Sequence, residues 1–102
     1  MTKVEFEWDE AKDRSNLVKH GFGFNTALRV FSDPLCLIEH DRIEDGEQRW
    51  QALGLIDRSL LLLVAHVTWD EENDGGQIEV IRIISARKAT RQERRRHENQ
   101  RQ

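Results

Sequence analysis

The residues best suited to chemistry in this chain are cations and histidines, and they gather in two places. One is DEAKDRSNLVKHG, residues 9–21, which holds Lys12, Asn16, Lys19 and His20. On a helix advancing about 100° per residue the last three lie at about +40°, −20° and +80° from Lys12, so all four share a flank. Such a flank can hold phosphates and offer a group that changes protonation near neutral pH, since an unperturbed histidine titrates at about 6.5. The same spacing also describes a solvated helix face whose terminal histidine is favoured by the helix dipole.

The second place is the end of the chain. In QIEVIRIIS, strand alternation sets Arg82 with Val80 and Ile84, opposite Ile81 and Ile83. A guanidinium there needs a partner. It can pair with an acid such as Glu47, snorkel from an edge position, or clamp a phosphate with its planar fork. Arg87, Lys88, Arg91, Arg94 and Arg95 follow directly. From Arg82 onward there are eight Lys or Arg against two acids (+6), whereas the first 81 residues carry eight against 17 (−9). Runs of this kind are most often solvated tails, but this one grows out of a strand and starts a helix, which fixes its charges in space. Fixed cations suit nucleic acid, because affinity comes largely from neutralised phosphates. Arg49 is a weaker candidate, and His66, which shares a strand face with Leu62 and Val64, reads as a core histidine.

Other chemistries find no motif. The four histidines at 20, 40, 66 and 97 are scattered, and CxxC and HExxH are absent, so no metal site is expected. No GxGxxG, Walker loop or GxSxG occurs either, and no cofactor is expected. The lone Cys36 excludes an internal disulfide and reads as buried filler. Cations plus histidine suffice for cleaving RNA. The 2′-hydroxyl supplies the nucleophile, and the protein need only position the phosphate, offset its charge and move protons. With no Tyr in the chain, proton transfer falls to His, Glu, Lys or water.

The elements that must position these groups read as follows. The 102 residues suit a single domain, 1–102. VEFEW, residues 4–8, alternates as a half-buried strand. Asp9 caps a helix that Gly21 closes, with Trp8, Ala11, Ser15 and Val18 as the stripe expected to meet a sheet. Asn25 is expected to cap a second, shorter helix, TALRVF. Strands are expected at 35–40, 47–56, 60–69 and 77–85, separated by the loops DRIEDG and DEENDGG and a tight turn at DRS. Thr90 and Glu93 have capping-box spacing and start a last, basic helix that should fray towards Gln102. The fold class is α+β: an antiparallel sheet of four to five strands, two N-terminal helices packed on it and a basic C-terminal helix. No apolar run approaches the roughly 20 residues of a membrane span, and the charged start lacks an export signal, which makes cytoplasm the expected location.

Three blocks, FEWDEAKDRSNLVKHG, GEQRW and RIISARKATRQERRR, together resemble the BrnT family, toxins of bacterial type II toxin–antitoxin pairs. The resemblance implies a RelE-like α+β fold and a metal-independent ribonuclease that cleaves RNA and so arrests translation and growth. It also implies a BrnA-like antitoxin with a ribbon-helix-helix domain as partner, operator DNA reached only through that antitoxin, and a toxin homodimer within a heterotetramer. Position by position, Lys12, Asn16, Lys19 and His20 occupy the helix motif; Glu47, Arg49 and Trp50 the middle one; Arg82, Ser85, Arg87, Lys88 and Arg91 the last. On that footing Lys19, His20, Glu47, Arg82 and Arg87 are the candidate catalytic residues. Arg82 and Arg87 would clamp the scissile phosphate, Lys19 would assist, and His20 or Glu47 would move protons. Lys12, Asn16, Arg49, Lys88 and Arg91 are the candidate RNA contacts. The competing reading is a non-catalytic module that grips a partner protein through its basic C-terminal helix. A stand-alone DNA-binding regulator is weaker, since no helix-turn-helix pair with a basic recognition helix is visible.

Overall fold

The computed structural model describes residues 3–100. Five strands, β1 (Lys3–Glu7), β2 (Leu37–Glu44), β3 (Glu47–Leu55), β4 (Leu61–Asn73) and β5 (Gly76–Lys88), form one sheet in the order β1-β5-β4-β3-β2. The helices are α1 (Glu10–His20), the short α2 (Phe24–Ala27), which runs into a 3₁₀ turn at Leu28–Ser32, and α3 (Arg91–Asn99).

The sheet is mixed, which corrects the antiparallel expectation: β1 pairs in parallel with β5, Lys3 opposite Ile78 and Glu7 opposite Arg82. The reason lies in chain order. The first strand joins the last at an edge, a pairing that short-connection reasoning cannot foresee. The loops were also expected too long. β2 runs on through a bulge near Asp41 to Glu44, and the hairpin tip is only Asp45–Gly46, both at positive φ (53° and 78°) as a two-residue turn requires. The acidic DEENDGG likewise shrinks to a turn at Asp74–Gly75, between the paired Asn73 and Gly76. The fraying expected at Gln102 lies outside the described residues.

Alternation divides the side chains between two faces. Phe24, Ala27 and Val30 bury Leu62, Val64, Ala52, Ile83 and Ala86 on the back face, so α2 and the 3₁₀ turn form its lid. The lid comes close. A Cβ on Gly54 would stand 2.7 Å from the Val30 carbonyl oxygen, so only glycine lets the 3₁₀ backbone lie against β3. On the front face Leu53, Leu61 and Leu63 pack with Leu37, Leu55 and Ala89 at one end, where α3 crosses. The capping box on α3 is present: Thr90 Oγ accepts from Glu93 N–H, while the Glu93 carboxylate accepts from Thr90 N–H.

Helix α1 is capped as read from sequence: Asp9 Oδ1 accepts from Lys12 N–H at 3.0 Å, and Gly21, at φ 82°, donates to the Leu17 carbonyl. Its packing is not as read. Ala11 and Ser15 are exposed and Val18 is 89% exposed, while the buried residue of the helix is Asn16. The second helix begins after Gly23 rather than at Asn25. Among the described residues no helix is long and apolar enough to cross a membrane.

Candidate functional site

β1 accompanies β5 only as far as Arg82, and beyond that point the edge of β5 is open. There α1 takes the place of a strand. Asn16 Oδ1 accepts from Ala86 N–H at 3.0 Å and its amide donates to the Ala86 carbonyl at 3.0 Å, as a neighbouring strand would. The same Nδ2 donates to the Phe22 carbonyl at 2.8 Å, tying down the turn that follows α1. A buried edge would otherwise leave these backbone groups without partners, a cost of about 1 to 3 kcal/mol each. Asn16, a candidate RNA contact by sequence, is therefore committed to the fold.

At the same stretch β5 bulges. Ala65 pairs with Ser85 and His66 with Ile83, which skips Ile84. One extra residue shifts the alternation. Val80 and Arg82 point to the front before the bulge, Ser85 and Arg87 after it, while Ile81, Ile83 and Ala86 keep to the back. Without the bulge Arg82 and Arg87, five residues apart, would face opposite ways. Ile84 turns instead towards α1, where Lys12, Ser15, Asn16, Lys19, His20, Ile84 and Ser85 line a groove of about 240 Å³. The flank read from sequence thus lies at the border of the front face. Among the described residues Lys12 and Lys19 make no ion pair.

The front-face arginines are paired. Arg82 Nε donates to Glu7 at 2.8 Å and its guanidinium lies 4.9 Å from the centroid of the Trp69 ring. The partner is Glu7 across the parallel pairing, not Glu47. Both members are about half exposed, so the pair contributes at most about 1 kcal/mol and can be exchanged for another anion at little cost. Arg87 is held harder. Its two terminal nitrogens donate to both Glu93 oxygens at 2.9 and 3.0 Å. That fork brings the Glu93 carboxyl from its ordinary 4.5 down to about 2 and raises Arg87. Arg87 and Glu93 together fasten the end of β5 to the start of α3.

The remaining candidates separate. Arg49 is on the front face and bridges to Glu44 at 2.9 Å. Glu47 is exposed at the β2–β3 hairpin, three residues beyond Trp50, where β3 has stopped pairing with β4. The Arg87 row crosses β3 at Leu53, six residues from Glu47, roughly 20 Å at about 3.3 Å per residue. Glu47 is therefore apart from the α1 groove. Lys88 pairs with Leu62 and faces the back, and Arg91 is exposed on the first turn of α3. The rest of α3 is docked rather than free. Arg94 donates to the Ser59 carbonyl, Arg96 to Glu39, and His97 meets Asp33 at 2.7 Å.

Sequence reasoning missed three members of this surface. Trp69 lies within the expected strand, but its place under Arg82 was not read; Glu7 and Glu93 are the acids that hold the two arginines. Only Glu93 had a local signal, its capping-box spacing from Thr90. His66 is 2% exposed, stacked edge-on to Phe31 at 5.1 Å, and desolvation pushes its pKa down, in keeping with a core role. Cys36 is half-buried, and burial raises its thiol to about 11.

A small α+β protein with a cation-studded sheet face bounded by a helix flank is the class that this geometry defines. The chain matches the family described as "Ribonuclease toxin, BrnT, of type II toxin-antitoxin system" over residues 8–93. It belongs to that family, and so to the ribonuclease toxins of type II toxin–antitoxin systems. In fold it is similar to the crystal structure of the Brucella abortus ribonuclease toxin, BrnT, with a TM-score of 0.55 and 22% identity, covering 88% of this chain and all of the other. No curated protein matches the chain.

Proposed function

We propose that this chain is a metal-independent endoribonuclease of RelE-like architecture whose active surface is the front face around Ser85. The observation that carries this is the bulge at Ile84, which turns Arg82, Ser85 and Arg87 to one side of the sheet, with Ser85 in the groove that Lys12, Lys19 and His20 line. RNA lies across β5 with a phosphate near Ser85. Arg82, released from Glu7, binds phosphate oxygens while Trp69 supports its guanidinium and offers a face for a base. Lys19 offsets charge on the phosphorane.

The 2′-oxygen attacks phosphorus as His20 takes its proton; the P–O5′ bond breaks, and the departing oxygen is protonated by Lys19 or water. The products are a 2′,3′-cyclic phosphate and a 5′-hydroxyl. Glu47, remote from the groove, has no part in this scheme. Arg87 is anchored by Glu93 and acts by fixing the end of β5; Lys12 contacts a flanking phosphate. As a cytoplasmic toxin, the protein is neutralised by a BrnA-like antitoxin with a ribbon-helix-helix domain, two copies of each per complex, and meets operator DNA only through it.

The test is purified protein with a defined RNA in the presence of EDTA. Cleavage with cyclic-phosphate ends, abolished when the nucleotide at the cut carries 2′-deoxyribose, is the expected result. Intact RNA, or equal cutting of the deoxy substrate, overturns the scheme.

A further inference from the structure

The lid on the back face is incomplete. α2 and the 3₁₀ turn cover Leu62, Val64 and Ile83, but past Phe31 the sheet is bare. A groove of about 540 Å³ is left there, running from Val4 and Phe6 on β1 across Ile81 and His66 to Trp50 and Ile38 on β2's side of the sheet. Its rim is apolar: Val4 is 44% and Ile38 52% exposed. Its width, four strand spacings, is roughly 19 Å, which about 13 residues of α-helix would span.

Charge decides what kind of molecule fits. Among the described residues Glu79 is the one charged side chain in the lining, and no Lys or Arg contributes. The adjoining segment 70–81 carries Asp70, Glu71, Glu72, Asp74 and Glu79 and no Lys or Arg. An RNA backbone would meet repulsion here; an apolar stripe with cationic flanks would not. A second copy of the chain could offer α1, with Leu17 at 53% and Val18 at 89% exposure beside Arg14 and Lys19. Those two apolar residues are adjacent and diverge by about 100°, so they form no stripe. Such head-to-tail docking also leaves each end of a pair unfilled.

We infer that this groove is where the antitoxin docks, through an amphipathic helix with apolar anchors on Phe6, Phe31 and Trp50 and basic residues towards Glu79 and the β4–β5 hairpin. The inference rests on the toxin–antitoxin reading of the chain but not on its catalytic scheme. Neutralisation then leaves the front face unblocked by this helix; the rest of the antitoxin, or a shift of β5, does the inhibiting.

The experiment uses the full chain and the protein encoded by the adjoining reading frame, with affinity measured by calorimetry and RNA cleavage measured in parallel. Val4→Glu and Ile38→Glu should each weaken binding at least about tenfold, because each sets an unpaired carboxylate against the apolar side of the docked helix, while Val18→Glu binds as wild type and all three cleave RNA normally. Unchanged binding by both groove variants, or no binding by wild type, overturns the inference. Normal binding with lost cleavage would assign the groove to RNA, and a change in self-association alone would assign it to a second copy. If no variant and no wild type cleaves RNA while the groove variants still lose the partner, the docking site stands and the ribonuclease scheme falls.

Discussion

Arg82 and Arg87 stand five residues apart on one strand and point to the same side of the sheet, because Ile84 between them is bulged out of register. Alternation alone would have set them back to back. The bulge lies where β1 has ended and Asn16 holds the Ala86 backbone.

Asn16 therefore acts on stability before it acts on RNA. Asn16→Ala should destabilise the protein by about 3 kcal/mol, since it strips partners from Ala86 N–H and from the Ala86 and Phe22 carbonyls. Asn16→Asp should be no better, because a carboxylate cannot donate to those carbonyls. Urea unfolding followed by circular dichroism reads both; wild-type stability in either would remove Asn16 from the edge.

Acid should loosen α3. The folded Glu93 carboxyl sits near 2 against an ordinary 4.5, so the stability it contributes is complete above 4.5 and is lost as pH falls towards 2. Asp33 has the same sign: burial pushes it up, but backbone N–H groups of Leu55 and Leu35, together with His97, outweigh that and leave it lowered. Amide exchange over α3 should accelerate across this window, and Glu93→Gln should remove much of the dependence.

Gly54→Ala should cost about 1 to 3 kcal/mol, because its methyl group would meet the Val30 backbone rather than a yielding side chain. Thermal unfolding of the variant checks this. An unchanged midpoint would mean that the 3₁₀ turn can move away from β3.

Much of this was legible where the signal is local. The caps of α1 and α3, the β-rich middle and the Lys12, Lys19 and His20 flank are all written within a turn or two of sequence. The face of α1 was misread because an apolar stripe was taken as the buried side, whereas α1 is held at a sheet edge by an amide. The partner of Arg82 was beyond reach, since Glu7 is 75 residues away across a parallel pairing. The bulge leaves no mark of its own: Ile84 is as good a strand residue as Ile83, and only the competition between β1 and α1 for the edge of β5 singles it out.

The most direct test of the front-face site is the single-turnover rate of RNA cleavage by Arg82→Ala. Its exposed pair with Glu7 contributes little to the fold, so the variant should remain folded. Loss of a phosphate ligand should lower the rate by about 100-fold or more. Lys88→Ala, on the back face, should cleave at close to the wild-type rate. A folded Arg82→Ala that cleaves as wild type would contradict the account.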